Sequence, residues 1–483
     1  MKHPTQYKNK KIVVLGLARS GVSVAKLFHQ LGAVVTVNDR KSREQSPEAD
    51  ELEALGIEVI CGHHPDDLVQ EDTALLVKNP GIPYSAPPIE RAKQLKIEII
   101  TEVEVAYWIS EAPIIGITGS NGKTTTTTLI GELLSAAKLQ PVVGGNIGLP
   151  LCEIALEVTK EQWIVAELSS FQLKGTVAFA PKIALILNLA ETHLDYHGDM
   201  QDYIQSKAKI LENQTEDDIA VLNWDDPVTK ALISSCKGRS FPFSIYDTLE
   251  QGVYIDPPFA PIQAGDPLPN AAEEASIRSI VYRMSSDDEP QRLMPLERLG
   301  IPGRHNAANA IAAIAACLVA GAEPSALVEP LEQFRGVEHR LEYVRQLEGV
   351  SYYNDSKATN ATATTMTIRS LSAPIVLIAG GLDRGSDYME LLPILRDRLK
   401  GLVAIGETRK KLASVAELAG LEAVQIVEPK ASAEETLDEA VKLAAKLADK
   451  GDIVLLSPAC ASWDMFSSYE QRGSMFKKSV HTL

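Results

Sequence analysis

Cysteine is scarce in this chain, and basic charge is outweighed by acid. The five cysteines, Cys61, Cys152, Cys236, Cys317 and Cys460, lie far apart and form no C-x-x-C pair. That spacing excludes a disulfide framework and a cysteine-based zinc site, and it fits a reducing compartment. A formal charge of −17 leaves little basic surface for nucleic acid or an anionic membrane, so neither is expected as a partner. No apolar run is long enough to span a bilayer, and the opening MKHPTQYKNKK lacks signal-peptide character, so the expected location is the cytoplasm. Repeats are missing as well. What is there is an ordinary globular composition, 45% hydrophobic and 23% charged, in 483 residues. That length exceeds one hydrophobic core and predicts about two to four domains.

The stretch around which the rest is organised is IIGITGSNGKTTTTT, residues 114–128. A β-branched run feeds a turn holding Gly119 and Gly122; Lys123 and Thr124 follow, and a helix is expected over 125–134. A strand, a glycine turn with Lys-Thr and a helix N-terminus make an anion site. Backbone N–H groups and the positive helix end face the phosphates, the lysine adds a point charge, and the hydroxyl reaches Mg²⁺. Ile117 stands where G-x-x-x-x-G-K-[ST] has its first glycine, leaving Thr118 followed by Gly119, Ser120, Asn121, Gly122, Lys123, Thr124 and Thr125. The competing reading is a plain strand-to-helix turn beside a surface lysine. The order of strand, turn and helix favours phosphate.

Upstream, a buried strand at 11–15 leads into GLARSG and a helix to about residue 31, and a second strand at 34–37 ends in Asn38-Asp39-Arg40. This is the opening of a Rossmann-type βαβ, with an acid placed to meet a ribose. Ala18 replaces the middle glycine, and its methyl crowds a pyrophosphate, which argues against a dinucleotide. A related nucleotide on the same turn, or a glycine needed only for packing, are the readings left open. Further strands are expected at 57–60, 74–77 and 97–100. Asn79-Pro80-Gly81-Ile82-Pro83 forms a rigid loop on the ligand side of such a sheet, and residues 101–112 cross to a second domain.

After the phosphate loop come a glycine-rich loop carrying Asn146, a strand at 163–168 ending in Glu167, then Ser169-Ser170-Phe171-Gln172. Another strand, 183–187, delivers Asn188 and the run Glu191-Thr192-His193-Leu194-Asp195. Glu167 alone could be a strand-end carboxylate; with His193 at a second strand end, a metal site is the better reading. A helix at 203–213 carries Lys207 and Lys209, which the residues alone assign to solvent. Residues 257–269 are rich in proline and glycine and are expected to be a loop between short strands. GRHNAANA opens an alanine-rich helix over 307–320, with Asn306 and Asn309 at its start and Asn306 suited to a cap. Residues 334–345, with His339-Arg340, form the second crossing. A third α/β unit follows, with strands at 350–353, 375–379, 402–405, 424–427 and 453–457. Their ends carry NDSKATN, GGLDR and SPACAS, polar groups gathered as an α/β ligand site requires.

The runs GSNGKT, GGNIGLP, ELSSFQL, GRHNAANA, NDSKATN and SPACAS with EQRG, in this order and spacing, resemble the Mur ligases over nearly the whole chain. The resemblance implies an α/β fold of three domains. These are a Rossmann-like UDP-sugar domain at 1–101, a central P-loop ATPase-like domain at 102–336, and a C-terminal Rossmann-like amino-acid domain at 337–483. It implies a monomer that uses ATP and two Mg²⁺ to join D-glutamate to UDP-N-acetylmuramoyl-L-alanine through an acyl-phosphate.

Carried over by resemblance, Lys123 binds the β- and γ-phosphates, Thr124 and Glu167 hold one Mg²⁺, and His193 holds the second. Lys207 matches a lysine carbamylated in this family, which would turn a helix lysine into an anionic metal ligand. Asn306, Asn309, His339, Arg340 and Asp355 match contacts to adenine, ribose and phosphate. Arg19, Ser20 and Asp39 match the uridine site, and Asn79, Gly81, Asn146, Ser169 and Gln172 fall on the substrate side. Lys357, Thr359, Ser462 and Tyr469 match the region that receives D-glutamate. Two positions depart from the family: Thr192 stands where an Asp usually precedes the metal histidine, and Arg384 takes the place of the usual lysine in GGLDRGS. The rivals are another Mur ligase or a folylpolyglutamate synthase-like enzyme, then a P-loop phosphohydrolase or an inactive nucleotide-sugar binder. A dehydrogenase is the weakest, given Ala18.

Overall fold

Short β-branched runs become parallel strands buried on both faces, the pattern of sheets covered by helices. The computed structural model describes residues 3–191, 194–234, 236–261, 271–371 and 373–483. It divides into two compact units. The first is Met1–Phe259 with Ser279–Met294 and Ala308–Leu331, and the second is Ala260–Arg278 with Pro295–Ala307 and Glu332–Leu483.

The first unit holds three sheets. The N-terminal one is parallel, ordered Glu58–Cys61, Val34–Asp39, Lys11–Leu15, Thr73–Lys78 and Ile99–Ile100. Leu15 is in register with both Asn38 and Lys78, so Gly16, Asp39 and Asn79 emerge together at the carboxyl edge. The second is also parallel, ordered Arg239–Ser240, Ile219–Leu222, Ile183–Ile186, Ile114–Thr118, Trp163–Glu167 and Pro141–Gly145. Here Ile117 pairs with Glu167 and Thr118 with Ile186, which sets the phosphate loop, Glu167 and Asn188 side by side. A four-stranded sheet of Phe243–Ser244, Gly252–Asp256, Ser279–Arg283 and Gln291–Pro295 follows. Of the loop expected at 257–269, residues 262–269 lie outside the described residues.

The helix Glu102–Ile109 joins the first two sheets. Glu104 is buried and accepts the N–H groups of Val177, Ala178 and Phe179 and the indole N–H of Trp108. Trp108 stacks on Tyr7, and Tyr7 meets Phe28 edge-on. Glu102, also buried, accepts the Cys152 N–H at 2.5 Å, at the start of the helix Leu151–Glu157. One apolar cluster runs through this joint, from Val14 and Phe28 by way of Trp108 to Ile186 and Leu222.

The second unit is built on a sheet ordered Glu342–Leu347, Val350–Asn354, Ile453–Leu456, Ile375–Gly380, Leu399–Ile405 and Ala423–Ile426. All neighbours are parallel except the first pair. That pair corrects the reading of residues 334–345 as a plain crossing. Leu347 pairs with Val350 across Glu348 and Gly349, both at positive φ, which is the geometry of a two-residue type I′ hairpin. Each sheet face is covered by its own apolar cluster, one around Leu377 and Leu455, the other around Val376 and Val454. Among the described residues no helix is long and apolar enough to cross a membrane.

Candidate active site

The phosphate loop is held by its own backbone and by the next strand end. Ser120 N–H donates to the Asn188 carbonyl, and Asn121 exchanges hydrogen bonds with the Asn188 side chain. The helix starts at Lys123, two residues earlier than expected, because Gly122 at φ +82° acts as its N-cap. A Cβ on Gly122 would lie 2.2 Å from Asn309 Oδ1, so the glycine also makes room for that asparagine. Lys123 Nζ donates to the Gly119 and Ser120 carbonyls at 2.8 and 2.9 Å. Thr124 is buried in the first helical turn.

Two ionisable side chains sit under this loop. Glu167 is 2% exposed; its Oε1 accepts from Asn146 Nδ2 at 2.7 Å, while the buried Oε2 has no hydrogen-bond partner among the described residues. Lys207, also 2% exposed, donates to the Gly119 carbonyl at 2.8 Å and to Thr118 Oγ1 at 3.2 Å. Burial first, then the charge of Lys123, depresses its pKa to about 6. This corrects the solvent assignment of Lys207 made from residues alone. The helix Met200–Glu212 buries Tyr203, Ser206, Lys207 and Ile210, a helical stripe, so the lysine lies on the packed face. Lys209, by contrast, pairs with Glu212 near the surface. Ser169 and Gln172 are bound into a reciprocal capping box on the short helix Ser170–Leu173. His193 and Thr192 lie outside the described residues. Among those described, no three His, Cys, Asp or Glu side chains gather as a metal cluster.

At the carboxyl edge of the N-terminal sheet is a cavity of about 450 Å³, lined by Ala18, Asp39, Arg40, His64, Asn79 and Gly81 among others. The Asp39 carboxylate accepts the Leu17 and Lys41 N–H groups and so shapes the turn. Ser20, at the start of the helix Arg19–Gln30, accepts from Asn79 Nδ2 at 3.3 Å, and Arg19 is exposed beside it. His64 went unnoticed in the sequence; the His-His pair after the strand Glu58–Cys61 is the one signal for it. Lys78 went unnoticed too. It is 1% exposed, donates to the Pro80 carbonyl and to Tyr196 Oη, and lies over the Tyr84 ring; burial pushes its pKa down to about 7.

In the second unit, the strand ends bring another set together. Buried His339 shares a 2.9 Å hydrogen bond with Asn354, and its backbone N–H donates to Glu342. Burial lowers the His339 pKa. A Cβ on Gly473 would come 2.2 Å from His339 Nδ1, which gives the glycine of EQRG its packing reason. Asp355 accepts from Ser457 Oγ and from Leu341 N–H, and burial raises its pKa to about 6. Arg340 N–H donates to the Val337 carbonyl. Lys357 Nζ lies 5.7 Å from the Tyr469 ring centroid, and Tyr469 meets His339 edge-on. Thr359 precedes Asn360, the N-cap of the helix Ala361–Ser370. Ser462 is buried, and Arg384 extends over the ring of Trp463. Asn306 donates to the Pro302 carbonyl rather than capping its own helix.

Arg472, within EQRG, was not singled out as a site residue. It has no exposed surface, and its guanidinium donates to Ser356 Oγ, the Ser356 carbonyl and the Cys460 carbonyl. It thereby ties the NDSKATN and SPACAS loops to one another. Burial lowers its pKa to about 10.

Three family descriptions match the chain in order. They are the Mur ligase MurD-like N-terminal domain over residues 10–101, the Mur ligase middle domain over 117–317, and the Mur ligase glutamate ligase domain over 339–460. The UDP-N-acetylmuramoylalanine--D-glutamate ligase of Geobacillus sp. (strain WCH70) is 43% identical over 484 residues, covering 100% of both chains. That of Listeria innocua is 44% identical, covering 100% of this chain and 99% of its own. Solved structures agree in fold. The MurF ligase of Thermotoga maritima in complex with ADP superposes with a TM-score of 0.55 at 16% identity, covering 100% of each chain. MurC from the same organism gives 0.53 at 19% identity, covering 98% of this chain and 99% of its own. The chain is a member of the Mur ligase family.

Proposed function

We propose that this protein joins D-glutamate to UDP-N-acetylmuramoyl-L-alanine with cleavage of ATP to ADP and phosphate, a cytoplasmic step toward peptidoglycan, and that it acts as a monomer. The observation that carries the reading is the full-length likeness to relatives named for that reaction. A carboxylate is a poor electrophile, so its oxygen must first be phosphorylated. The amine of D-glutamate then attacks the acyl-phosphate carbonyl, and phosphate leaves.

Lys123 and the Gly119–Thr125 backbone cradle the ATP phosphates. Asn309 packs on that loop, and Asn306, His339, Arg340 and Asp355 serve the nucleotide. Arg19, Ser20, Asp39, Asn79 and Gly81 hold the uridine end, with Asn146, Ser169 and Gln172 toward the sugar and peptide. Lys357, Thr359, Arg384, Ser462 and Tyr469 receive D-glutamate. The buried, unpartnered Oε2 of Glu167 suits a divalent cation, which Thr124 and Glu167 would hold, with His193 and Lys207 at a second. Bound there, Mg²⁺ supplies positive charge between two anionic reactants. Burial, which depresses the Lys207 pKa to about 6, favours the neutral amine, the form that adds CO₂ to give a carbamate and a proton.

The test is phosphate release from ATP with UDP-N-acetylmuramoyl-L-alanine, offering D-glutamate, L-glutamate, L-alanine and L-lysine in turn. Release that requires D-glutamate supports the proposal. Release with no amine present would make the protein a hydrolase.

A further inference from the structure

Trp463 is 66% exposed, although it directly follows a buried serine in the loop after the strand Ile453–Leu456. Its ring does not stand alone: the Arg384 guanidinium carbon lies 5.1 Å from the ring centroid. The loop that presents Arg384 is tied down on both sides. Gly381 N–H donates to Thr408 Oγ1, Leu382 N–H to the Ala461 carbonyl, and Asp383 N–H to Glu407 Oε2. The neighbouring acid is occupied, because Asp383 accepts from Lys411 Nζ and from Gly385 N–H. Among the described residues no carboxylate pairs with Arg384. Beneath the same loops Arg472 adds a buried cation whose hydrogen bonds go to the neutral oxygens of Ser356 and Cys460. One guanidinium thus lies against an exposed aromatic ring, and a second cation is buried below the same loops.

We propose that Trp463 is a positioning residue for the amino-acid substrate. Its ring holds the Arg384 guanidinium flat so that the two-pronged edge meets the side-chain carboxylate, and the pair sets the preference for a dicarboxylic acceptor. The proposal rests on the assignment of Arg384 to D-glutamate made above. The physical basis is that a guanidinium is planar, stacks on an aromatic ring and grips a carboxylate with two parallel N–H bonds. An ammonium has neither a flat face to stack nor a two-pronged edge. An arginine already fixed by stacking loses less freedom on binding than a free one. This also accounts for arginine, rather than lysine, at position 384 beside a tryptophan.

The experiment compares Trp463→Ala, Trp463→Phe, Arg384→Ala and Arg384→Lys, together with Trp463→Ala in the Arg384→Lys background. D-glutamate and D-glutamine are the acceptors, the latter followed by its inhibition constant where no product forms. Trp463→Ala should raise the KM for D-glutamate about tenfold while kcat and the KM for ATP stay within about twofold. It should lower the preference for D-glutamate over D-glutamine by a similar factor, and Trp463→Phe should restore most of it. Arg384→Lys should mimic Trp463→Ala, and the double variant should add less than about twofold to either. Because Trp463 is exposed, its variants should keep the parent Tm. An unchanged KM for D-glutamate in Trp463→Ala, equal losses for both acceptors, or full additivity would overturn the proposal. If Arg384→Ala leaves the D-glutamate KM unchanged, the assignment of Arg384 itself fails. If Arg384→Ala raises it and Trp463→Ala does not, only the role of Trp463 is lost.

Discussion

Lys207 Nζ donates to the Gly119 carbonyl at 2.8 Å, the same oxygen that Lys123 Nζ reaches at the same distance. Burial first, and then the neighbouring charge of Lys123, favour the neutral form of Lys207. Lys207 therefore belongs to the phosphate loop despite arriving from a helix some 80 residues further on, as its 88-residue separation from Gly119 records. Lys207→Ala is expected to lower kcat at least about hundredfold while leaving ADP affinity within about threefold. Steady-state turnover set against calorimetric titration of ADP separates the two. Unchanged turnover would return Lys207 to a packing role.

Gly122 leaves no room for a methyl at the head of the phosphate-loop helix. Alanine there meets both the positive φ of the N-cap and Asn309 Oδ1. Gly122→Ala should destabilise the first unit by about 2 kcal/mol and weaken ATP binding at least about tenfold. Adding Asn309→Gly should recover the steric part and leave the backbone strain, which urea melts of the two variants would resolve.

Glu102 gives a pH signature. Its pKa in the folded chain is raised to about 7, by burial first, against 4.5 when unfolded. The folded state thus binds more protons between these values. The stability contributed by this carboxyl is complete below about 4.5 and lost as pH rises through 7. Glu102→Gln keeps an acceptor for the Cys152 N–H and removes the penalty. It should be about 2 kcal/mol more stable than the parent at pH 8 and little different at pH 4.5. Thermal melts at both pH values decide it; an equal gain at each would remove ionisation from the explanation.

Arg472 joins two loops beyond the point where their strands pair, adding to the Asp355–Ser457 hydrogen bond a tie from Ser356 to Cys460. Arg472→Ala should cost about 3 kcal/mol by stranding the Ser356 and Cys460 carbonyls. Arg472→Lys keeps the charge but cannot reach both loops. It should therefore raise the KM for D-glutamate while losing less stability. Equal KM values in parent and Arg472→Lys would limit the residue to folding.

Much of this was legible in the chain, and the reasons for the rest are physical. The phosphate loop and the strand-end polar runs announce themselves because glycine, proline and β-branched residues act locally. Lys78 and Arg472 do not, since their partners Tyr196 and Ser356 lie 118 and 116 residues away. Lys207 is the instructive case. The spacing of Tyr203, Ser206, Lys207 and Ile210 marks a buried stripe, yet a lysine is ordinarily assigned to solvent wherever it falls. The hairpin at Glu348-Gly349 was missed because its turn lacks the Asn-Gly or Asp-Gly signature that usually marks a type I′ hairpin.

The joint around Glu104 has a bearing on ligand design. Four N–H donors converge on that carboxylate and the Tyr7–Trp108 stack braces the same helix, so the N-terminal cavity and the phosphate loop sit on one frame. A compound carrying one head group for each would be measured against a rigid ruler. Its affinity should rise steeply at a single tether length, through the effective concentration of the second head, and fall away for tethers a few atoms shorter.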